Sequence, residues 1–428
     1  MAPLRVLTIA SHHPDLVPGE AQGATYALFR AMRTVPDLAP SFLAGVQHYL
    51  TPQLVKSDGT IRAHAGRPDE FLLAVRGFDP FWLGNTGQHA PGWRGVIESL
   101  GALRPDVVLF GSLADLGAEL IRAVRVARPA ARMFLTLRDL SLMIPAGSFM
   151  AAHDPPTTAA EAALGITGRP PAEIALRADW LRTHLGWIDG FVATSAFVQA
   201  RHCDWGLPAD RITVIRPGID GLRAAPAPPS ARRNRFGLFG QLTEEDGLAV
   251  ALDAVDSLRA RGSDDFLLVV GGSLRHAAPA LRKRLAEMAA GSPSIRVHET
   301  RDNGPGSVDW VLLPTLLPES APAGLERAFL AGRPVLCSET GGLPERVQHG
   351  VSGLLFPRAD GHALADRMAE CLADPALWDR LAAGIPAVPD LADELAEHRA
   401  LWSDAPSEAD KPEKRALPLR AKAATGRR

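Results

Sequence analysis

The stretch that decides the fold is DWVLLPTLLPESAPAGLERAFLAGRPVLCSETGGLPERVQHGVSGLLFPRAD, residues 309–360. It contains short apolar runs at 309–315, 334–339 and 353–356, and an Ala/Leu-rich stretch lies between the first two. Apolar runs that alternate with amphipathic stretches are typical of βα units, in which helices join parallel strands. A Gly-Gly pair at 341–342 follows the second run, which predicts a tight turn at the end of a strand.

The same alternation extends over most of the chain and predicts two α/β domains. Amphipathic stretches at 25–35 and 248–260 place their apolar residues on one face, as helices packed on a sheet do. Residues 221–235 are rich in Pro, Ala and Arg without periodicity, which predicts a linker between the domains. The other predicted strands are residues 4–10, 41–46, 106–112, 132–139, 190–195, 212–218, 236–242, 266–272 and 295–299.

Composition and charge exclude several classes of protein. The chain has 428 residues, of which 46% are apolar and 22% charged, as is ordinary for a globular protein of two domains. The formal net charge of −2 gives no global field that attracts nucleic acid, so we predict no nucleic-acid partner. Residues 411–428 carry seven Lys/Arg and one Glu, and we predict a disordered basic tail over 404–428.

Cysteine usage and hydropathy indicate a cytoplasmic protein. Cys203, Cys337 and Cys371 lie far apart and form no CxxC pair, which argues against a disulfide framework and a structural zinc site. The N-terminal apolar run, 6–10, is too short for a signal peptide, and the stretch 308–318 is interrupted by an aspartate and two prolines. We therefore expect a cytoplasmic chain whose basic tail makes at most weak peripheral contact with an anionic membrane surface.

In order and spacing, residues 309–360 resemble the donor half of family 4 (group 1) glycosyltransferases, retaining enzymes of the GT-B fold that use nucleotide-activated sugars. Weaker matches cover 191–220, 236–255 and 375–402. The matching pieces of the first stretch are Pro314, Pro318-Glu319, Ala331-Gly332, Pro334-Val335, Gly341-Gly342-Leu343-Pro344-Glu345, Gly350 and Gly353-Leu354-Leu355-Phe356.

The resemblance implies a fold of two Rossmann-type, doubly wound domains that face an interdomain cleft. The acceptor-side domain is expected over 1–220 and the donor domain over 221–375. Terminal helices over 376–403 are expected to pack back on the N-terminal domain. Departure of a nucleoside diphosphate builds negative charge, which backbone N–H groups at glycine-rich turns and fixed cations stabilise.

The activity that the resemblance implies is transfer of a sugar from a nucleotide-sugar donor to a hydroxyl of a glycan or of a lipid-linked acceptor. The nucleotide sugar is a co-substrate, so no cofactor is expected, and the chemistry is metal-independent. Glu319 matches the glutamate that contacts donor-sugar hydroxyls, and Arg138 stands at the acceptor side. The implied donor-binding residues are Gly240, Gln241, Arg327, Gly341, Gly342 and Leu343, and the phosphate-loop candidates are Gly19 and Gly23.

Four polar positions depart from the family pattern. Gln241 and Asp246 stand where the family has Arg and Lys, and an aspartate beside a diphosphate is repulsive. Arg327 occupies the position of a second glutamate, and the adjacent Glu326 is turned by about 100° around a helix. Arg138 stands at the position of the family histidine.

These departures leave two kinds of function open. Arg138 and Arg327 either replace the missing cations of a working donor site or belong to a degenerate GT-B protein that binds a partner without catalysis. A nucleotide-sugar epimerase is a third interpretation, and a two-carboxylate hydrolase is disfavoured because only Glu319 occupies a convincing site position. His12 and His13, at the end of the first predicted strand, are more typical of structural residues than of a catalytic or metal-binding pair.

Overall fold

A computed structural model describes residues 2–47, 60–64, 66–75, 77–85, 93–144, 169–219, 221, 226–240, 242–298, 304–318 and 323–404. The chain forms two compact units. The first comprises the chain up to Gly218 and again from Pro389, and the second comprises Ile219–Val388. Within the described residues, no helix combines the length and the hydropathy that crossing a bilayer requires.

The first unit is built on an eight-stranded sheet. Its strands are β1 (Leu4–Ala10), β2 (Leu38–Gln47), β3 (Ile61–His64), β4 (Arg67–Val75), β7 (Val107–Phe110), β8 (Arg132–Leu137), β9 (Gly190–Ala193) and β10 (Ile212–Val214), and the pair β5 (Phe78–Asp79) and β6 (Gly84–Asn85) stands apart. The strand order is β10-β9-β8-β7-β1-β2-β4-β3. All neighbours are parallel except β3 and β4, because helices cover both faces of a doubly wound sheet.

The helices that cover this sheet are α1 (Glu20–Met32), α2 (Trp93–Leu103), α3 (Glu119–Ala127), α4 (Pro171–Leu185) and α5 (Ala196–Trp205). Helix α1 buries Leu28, Phe29 and Met32, the face that the sequence predicted. Helix α5 begins where the Ser195 hydroxyl accepts the N–H of Val198, as a capping serine does.

The second unit contains a six-stranded, fully parallel sheet in the order β13-β12-β11-β14-β15-β16. Its core includes Phe236 and Trp310, whose stacked rings are fully buried. The strands are β11 (Arg235–Gly240), β12 (Leu267–Gly272), β13 (Ile295–His298), β14 (Trp310–Leu313), β15 (Val335–Ser338) and β16 (Gly353–Phe356). The helices are α6 (Leu248–Ala260), α7 (Pro279–Ala290), α8 (Ala323–Leu330), α9 (Leu343–Arg346), α10 (Gly361–Ala373) and α11 (Pro375–Ala383).

The two C-terminal helices belong to different units. Helix α11 buries Leu377 and Leu381 in the core of the second unit, whereas α12 (Leu391–Asp404) packs on the first. This differs from the expected grouping of 376–403 as one segment on the N-terminal domain, because the apolar face of α11 completes the second core. Most of the expected tail, residues 405–428, lies outside the described residues.

Every strand predicted from the sequence coincides with an observed strand, with ends shifted by a few residues. The expected α/β class, with two parallel sheets, is therefore confirmed. The sequence did not predict β3, β4, β5 or β6, which lie between 61 and 85.

Candidate functional site

The carboxyl edge of the second sheet is one candidate site. Ligands of open α/β sheets bind beyond the carboxyl ends of the strands, where the strand order reverses. Strand β11 has β12 on one side and β14 on the other, so the reversal lies between β11 and β14. Gly240 ends β11 and is exposed, and Pro314 follows β14. The structure therefore places Gly240 at the edge where open α/β sheets bind ligands.

The loops that follow β11 and β14 hold each other in place. Gly247 has a φ of 79°, and a Cβ on this residue would collide with the carbonyl oxygen of Pro314. Only glycine combines this backbone conformation with so close an approach. The N–H of Leu316 donates to the carbonyl oxygen of Glu245 at 2.8 Å. The chain that leads from β14 towards Glu319 is thus anchored on the loop after β11.

Asp246 is held inside its own loop. Its Oδ2 accepts the backbone N–H of Thr243 at 3.0 Å and the Thr243 hydroxyl at 2.8 Å. The carboxylate stabilises the turn through these bonds, which explains why an aspartate is accepted at this position. Burial raises the pKa of the neighbouring Glu245, and the charges of Asp246 and Glu244 raise it further. The loop is therefore acidic at the place where the resemblance implies cations.

The turn between β15 and α9 contains the predicted glycine pair. Gly341 has a φ of 58°, which favours glycine, and Gly342 precedes α9. The side chain of Leu343 is buried in the core, and its N–H donates to the carbonyl oxygen of Thr340 at 3.2 Å. The structure thus engages the Leu343 amide within the turn.

Glu326 and Arg327 lie on different faces of α8. The guanidinium of Arg346 donates to both oxygens of Glu326, at 2.8 and 2.9 Å, and both side chains are largely buried. Arg327 is exposed. Glu326 therefore belongs to an internal ion pair, in agreement with the expectation that it does not replace the second glutamate of the family. Two predicted site residues, Gln241 and Glu319, lie outside the described residues.

The carboxyl edge of the first sheet is the second candidate site. Here the strand order reverses between β1 and β7. His12 follows β1, and Asp115 lies in the turn after β7. The Nε2 of His12 and the Oδ2 of Asp115 are 3.9 Å apart. Sequence reasoning named His12 without finding its neighbour.

The predicted phosphate loop is shorter than expected. Gly19 is the N-cap of α1, which begins at Glu20 rather than at residue 25. Gly23 lies within the first turns of α1, and its N–H donates to the carbonyl oxygen of Gly19 at 2.9 Å. The amide of Gly23 is thus engaged within the helix and not held open in a loop.

Arg138 follows β8 among carboxylates of its own unit. Burial lowers the pKa of its guanidinium, and the negative charges of Glu394, Glu20 and Asp139 oppose this effect. Glu394 is a buried residue of α12, and its Oε2 accepts the N–H of Gly218 at 2.9 Å. The structure therefore associates Arg138 with α1 and α12, a relation that the sequence did not predict.

A buried network surrounds Glu70, which the sequence analysis missed. His13 Nε2 lies 2.7 Å from Glu70 Oε2, and Tyr26 donates to Oε1 at 3.1 Å. Arg67 Nη1 donates to Oε2 at 3.1 Å. Burial opposes ionisation of Glu70, but the bonds from His13, Arg67 and Tyr26 outweigh it and hold its pKa below the ordinary value. His13 is thus structural, as expected.

Donor atoms of His13, Asp15 and His64 lie within 4.8 Å of one another. In the described part of the chain, the donor atoms of His13 and Asp15 already have partners. The Nδ1 of His13 accepts the N–H of Asp15 at 3.2 Å, and the Asp15 carboxylate pairs with Arg67. The guanidinium already supplies the positive charge that a metal ion would bring, so we assign no metal to this group.

Two family models match the chain. The model of Glycosyltransferase Family 4 matches residues 53–221, and the model of Glycosyl transferases group 1 matches residues 233–374. The two matched ranges fall on either side of the linker and together cover most of the chain. They include the carboxyl edge of the second sheet but not the ends of β1 and β2 in the first.

Curated relatives match part of the chain. The amylovoran biosynthesis glycosyltransferase AmsK of Erwinia amylovora is 32% identical over 180 residues, which are 37% of this chain and 42% of that protein. The D-inositol 3-phosphate glycosyltransferase of Thermobispora bispora is 30% identical over 203 residues, 41% of this chain and 45% of that protein. The matches thus span less than half the length of these relatives.

Solved structures share the fold over nearly the whole chain. Anabaena HepE, solved in complex with UDP and glucose, has a TM-score of 0.63 and 16% identity, and the match covers 94% of this chain and 100% of that one. Sucrose-phosphate synthase from Thermosynechococcus elongatus has a TM-score of 0.65 and 15% identity, with 94% and 98% covered. At this identity the likeness concerns the fold. The two family models, which together match most of the chain, show that it belongs to the family 4, group 1 glycosyltransferases, and the solved structures show the GT-B fold.

Proposed function

We propose that this protein is a retaining hexosyltransferase that moves a sugar from a nucleotide-sugar donor to a hydroxyl of a glycan or of a lipid-linked acceptor. The observation that carries the proposal is the pair of joined loops where the second sheet reverses its strand order, beside Gly240 and Pro314. HepE, which shares the fold, was solved with UDP and glucose, and AmsK is named for amylovoran biosynthesis. The ligands of HepE support a nucleotide-sugar donor, and the name of AmsK supports a glycan acceptor.

The donor's diphosphate needs positive charge, and the loop after β11 supplies none between 242 and 247. We assign this task to Arg327, whose exposed guanidinium lies on the helix that follows Glu319. The amides of Gly341 and Gly342 then receive the donor, and Glu319 orients its sugar. On the acceptor side, Arg138 takes the place of the family histidine. No cofactor or metal is needed.

The first experiment is calorimetric titration of the protein with UDP, GDP, ADP and TDP. We expect saturable binding of one nucleotide and about tenfold weaker binding by Arg327→Glu, because the reversed charge repels the diphosphate. Arg282→Glu is the matched control, since Arg282 is also an exposed helical arginine of the second unit. Equal losses in the two variants would show a nonspecific charge effect and would remove Arg327 from the site.

The acidic loop 243–246 favours a second candidate function, a degenerate GT-B protein that binds a partner without catalysis. The same titration separates the two. In a decayed donor site, the unmodified protein binds none of the four nucleotides. Binding restored by Asp246→Lys together with Arg327→Glu would then show that the site lost its function through these substitutions, and the enzyme proposal would be abandoned.

The basic residues of 411–428 support weak peripheral contact with an anionic membrane surface. We expect the full chain to co-sediment with phosphatidylglycerol vesicles at low salt more than a chain that ends at residue 404. Added salt should abolish the difference, because it screens the attraction between the exposed basic residues and the anionic lipids. Equal sedimentation of the two chains would exclude the tail as a membrane contact.

A further inference from the structure

His12 is a buried histidine whose ring has no hydrogen-bond partner within the described part of the chain. Its side chain is 5% exposed, and neither Nδ1 nor Nε2 makes a hydrogen bond there. Buried polar groups in folded proteins are almost always hydrogen-bonded, since leaving one without a partner is unfavourable. Within the described residues the ring therefore lacks an oxygen or nitrogen atom with which it could form a hydrogen bond.

The position of His12 indicates where that atom comes from. His12 lies two residues after the end of β1, and Asp115 lies in the turn after β7, so both residues lie where the first sheet reverses its strand order. This is the general ligand-binding position of an open α/β sheet. The Asp115 carboxylate is partly exposed, which leaves the pair accessible from one side.

The backbone of the same turn is unusual. Asp115 has a φ of 61°, which is uncommon for a residue other than glycine, and such conformations are concentrated at functional sites. The turn is held by hydrogen bonds of its own, among them the N–H of Ala114 to the Ser112 hydroxyl at 3.0 Å. The structure thus fixes the Asp115 carboxylate opposite the imidazole.

The distance between the two side chains selects the chemistry of the ligand. His12 Nε2 and Asp115 Oδ2 are 3.9 Å apart, too far for a direct hydrogen bond. One oxygen atom about 2.8 Å from each spans this gap with an angle near a right angle. A hydroxyl accepts a bond from the imidazole N–H and donates its own hydrogen to the carboxylate. An anion is repelled by Asp115, and an ammonium group, which can only donate, does not fit when His12 Nε2 carries the proton.

We propose that His12 and Asp115 bind a hydroxyl group of the acceptor, which is a saccharide or another polyol. The inference rests on the proposed transfer reaction, which needs an acceptor hydroxyl at the first unit. It adds two residues, 103 positions apart in the chain, that the family pattern did not supply. Burial lowers the pKa of His12 and outweighs the charge of Asp115, which acts in the opposite direction. The lowered pKa favours the neutral form of the ring, which binds a hydroxyl.

The test uses the full chain with histidine labelled at ring carbon ε1, and myo-inositol, glucose, galactose and N-acetylglucosamine as probes. The signal missing from His12→Phe identifies His12. We expect at least one probe to move this signal in a saturable way. The affinity should fall at least about tenfold in Asp115→Gly, a substitution that suits the positive φ and therefore preserves the turn.

His184→Phe is the matched control, because His184 is a buried histidine of the same unit whose Nδ1 contacts the carbonyl oxygen of Trp180. It should bind the probe as the unmodified protein does. A His12 signal that responds to no probe, with exchange to water alone, would indicate a trapped water and overturn the inference. So would unchanged binding by Asp115→Gly.

Nucleotide titration separates this inference from the proposed function. If the protein binds a nucleotide but no polyol at His12, the transferase proposal stands and the assignment of His12 and Asp115 to the acceptor is wrong. If the protein binds a polyol at His12 but none of the four nucleotides, the proposed donor site is wrong and the acceptor pair stands.

Discussion

Asp309 shows how a charged side chain is accommodated in the core of a parallel sheet. The residue is completely buried just before β14. It accepts the N–H and the hydroxyl of Ser230, both at 2.6 Å, and the N–H of Arg235 at 3.0 Å. Burial opposes ionisation, but these bonds from Ser230 and Arg235 outweigh it and hold the pKa of Asp309 below its ordinary value. The carboxylate therefore ties the linker to the second sheet.

We predict that Asp309→Asn lowers the free energy of unfolding by about 3 kcal/mol at neutral pH, because Arg235 loses its buried counter-charge. The folded-state pKa lies below the unfolded-state pKa. The carboxylate thus stabilises the fold above the ordinary aspartate pKa, and this contribution is lost as the pH falls through the folded-state pKa. Urea unfolding over this acidic range should show a weaker pH dependence for the variant.

The control is Asp265→Asn. Asp265 pairs with Arg232, but both side chains are about three-quarters exposed, so we expect a change within about 0.5 kcal/mol. A loss of equal size in both variants would mean that the burial of Asp309 does not determine its contribution.

At the scale of elements, the geometry of helix α8 directs two adjacent charged side chains to different faces. Glu326 is buried against Arg346, whereas the next residue, Arg327, is exposed. We predict that Glu326→Ala lowers the free energy of unfolding by about 3–5 kcal/mol, since it leaves Arg346 with a buried, unpaired charge. Arg327→Ala should change it by no more than about 0.5 kcal/mol. Urea unfolding of both variants measures this difference.

The apolar double variant Glu326→Leu with Arg346→Met should recover most of the stability lost by Glu326→Ala, because replacing both ions removes the unpaired charge. If the double variant were as unstable as the single one, packing rather than charge would explain the loss.

Helix α12 completes the core of the first unit. Trp402 is 1% exposed and packs in the same cluster as Val6, Leu28 and Met32. We predict that Trp402→Ala lowers the free energy of unfolding by about 3–5 kcal/mol, the effect of emptying a large buried site. Ser403→Ala, at an exposed neighbour, should have almost no effect. Comparable losses in both would assign the effect to helix propensity instead.

At the scale of the whole molecule, the sequence predicted the two sheets because buried parallel strands are continuous apolar runs. It missed β4 because the first residues of that strand, Arg67–Glu70, are mostly polar, and it missed the two-residue strands β5 and β6, which are too short for any periodicity. The sequence could name candidate site residues only where local motifs exist, as at Gly240. The pairs His12–Asp115 and His13–Glu70 join distant parts of the chain, and no local pattern connects them.

The two units should differ in their ability to fold alone. We predict that residues 219–388, which are contiguous, unfold cooperatively as a separate chain. Residues 1–218 should not, because their core lacks Leu395 and Trp402. Joining 1–218 directly to 389–404 should restore cooperative unfolding, measured by urea titration of near-ultraviolet dichroism. Cooperative unfolding of 1–218 alone would contradict this prediction.

The return of α12 also sets the order of events during synthesis. A ribosome releases β1, whose Val6 packs in the same cluster as Trp402, before the second unit, but it releases Trp402 only after the entire second unit. The core of the first unit therefore stays incomplete and partly exposed until α12 is made, while the second unit is already able to fold. The unit whose synthesis begins first is therefore the unit whose core is completed last.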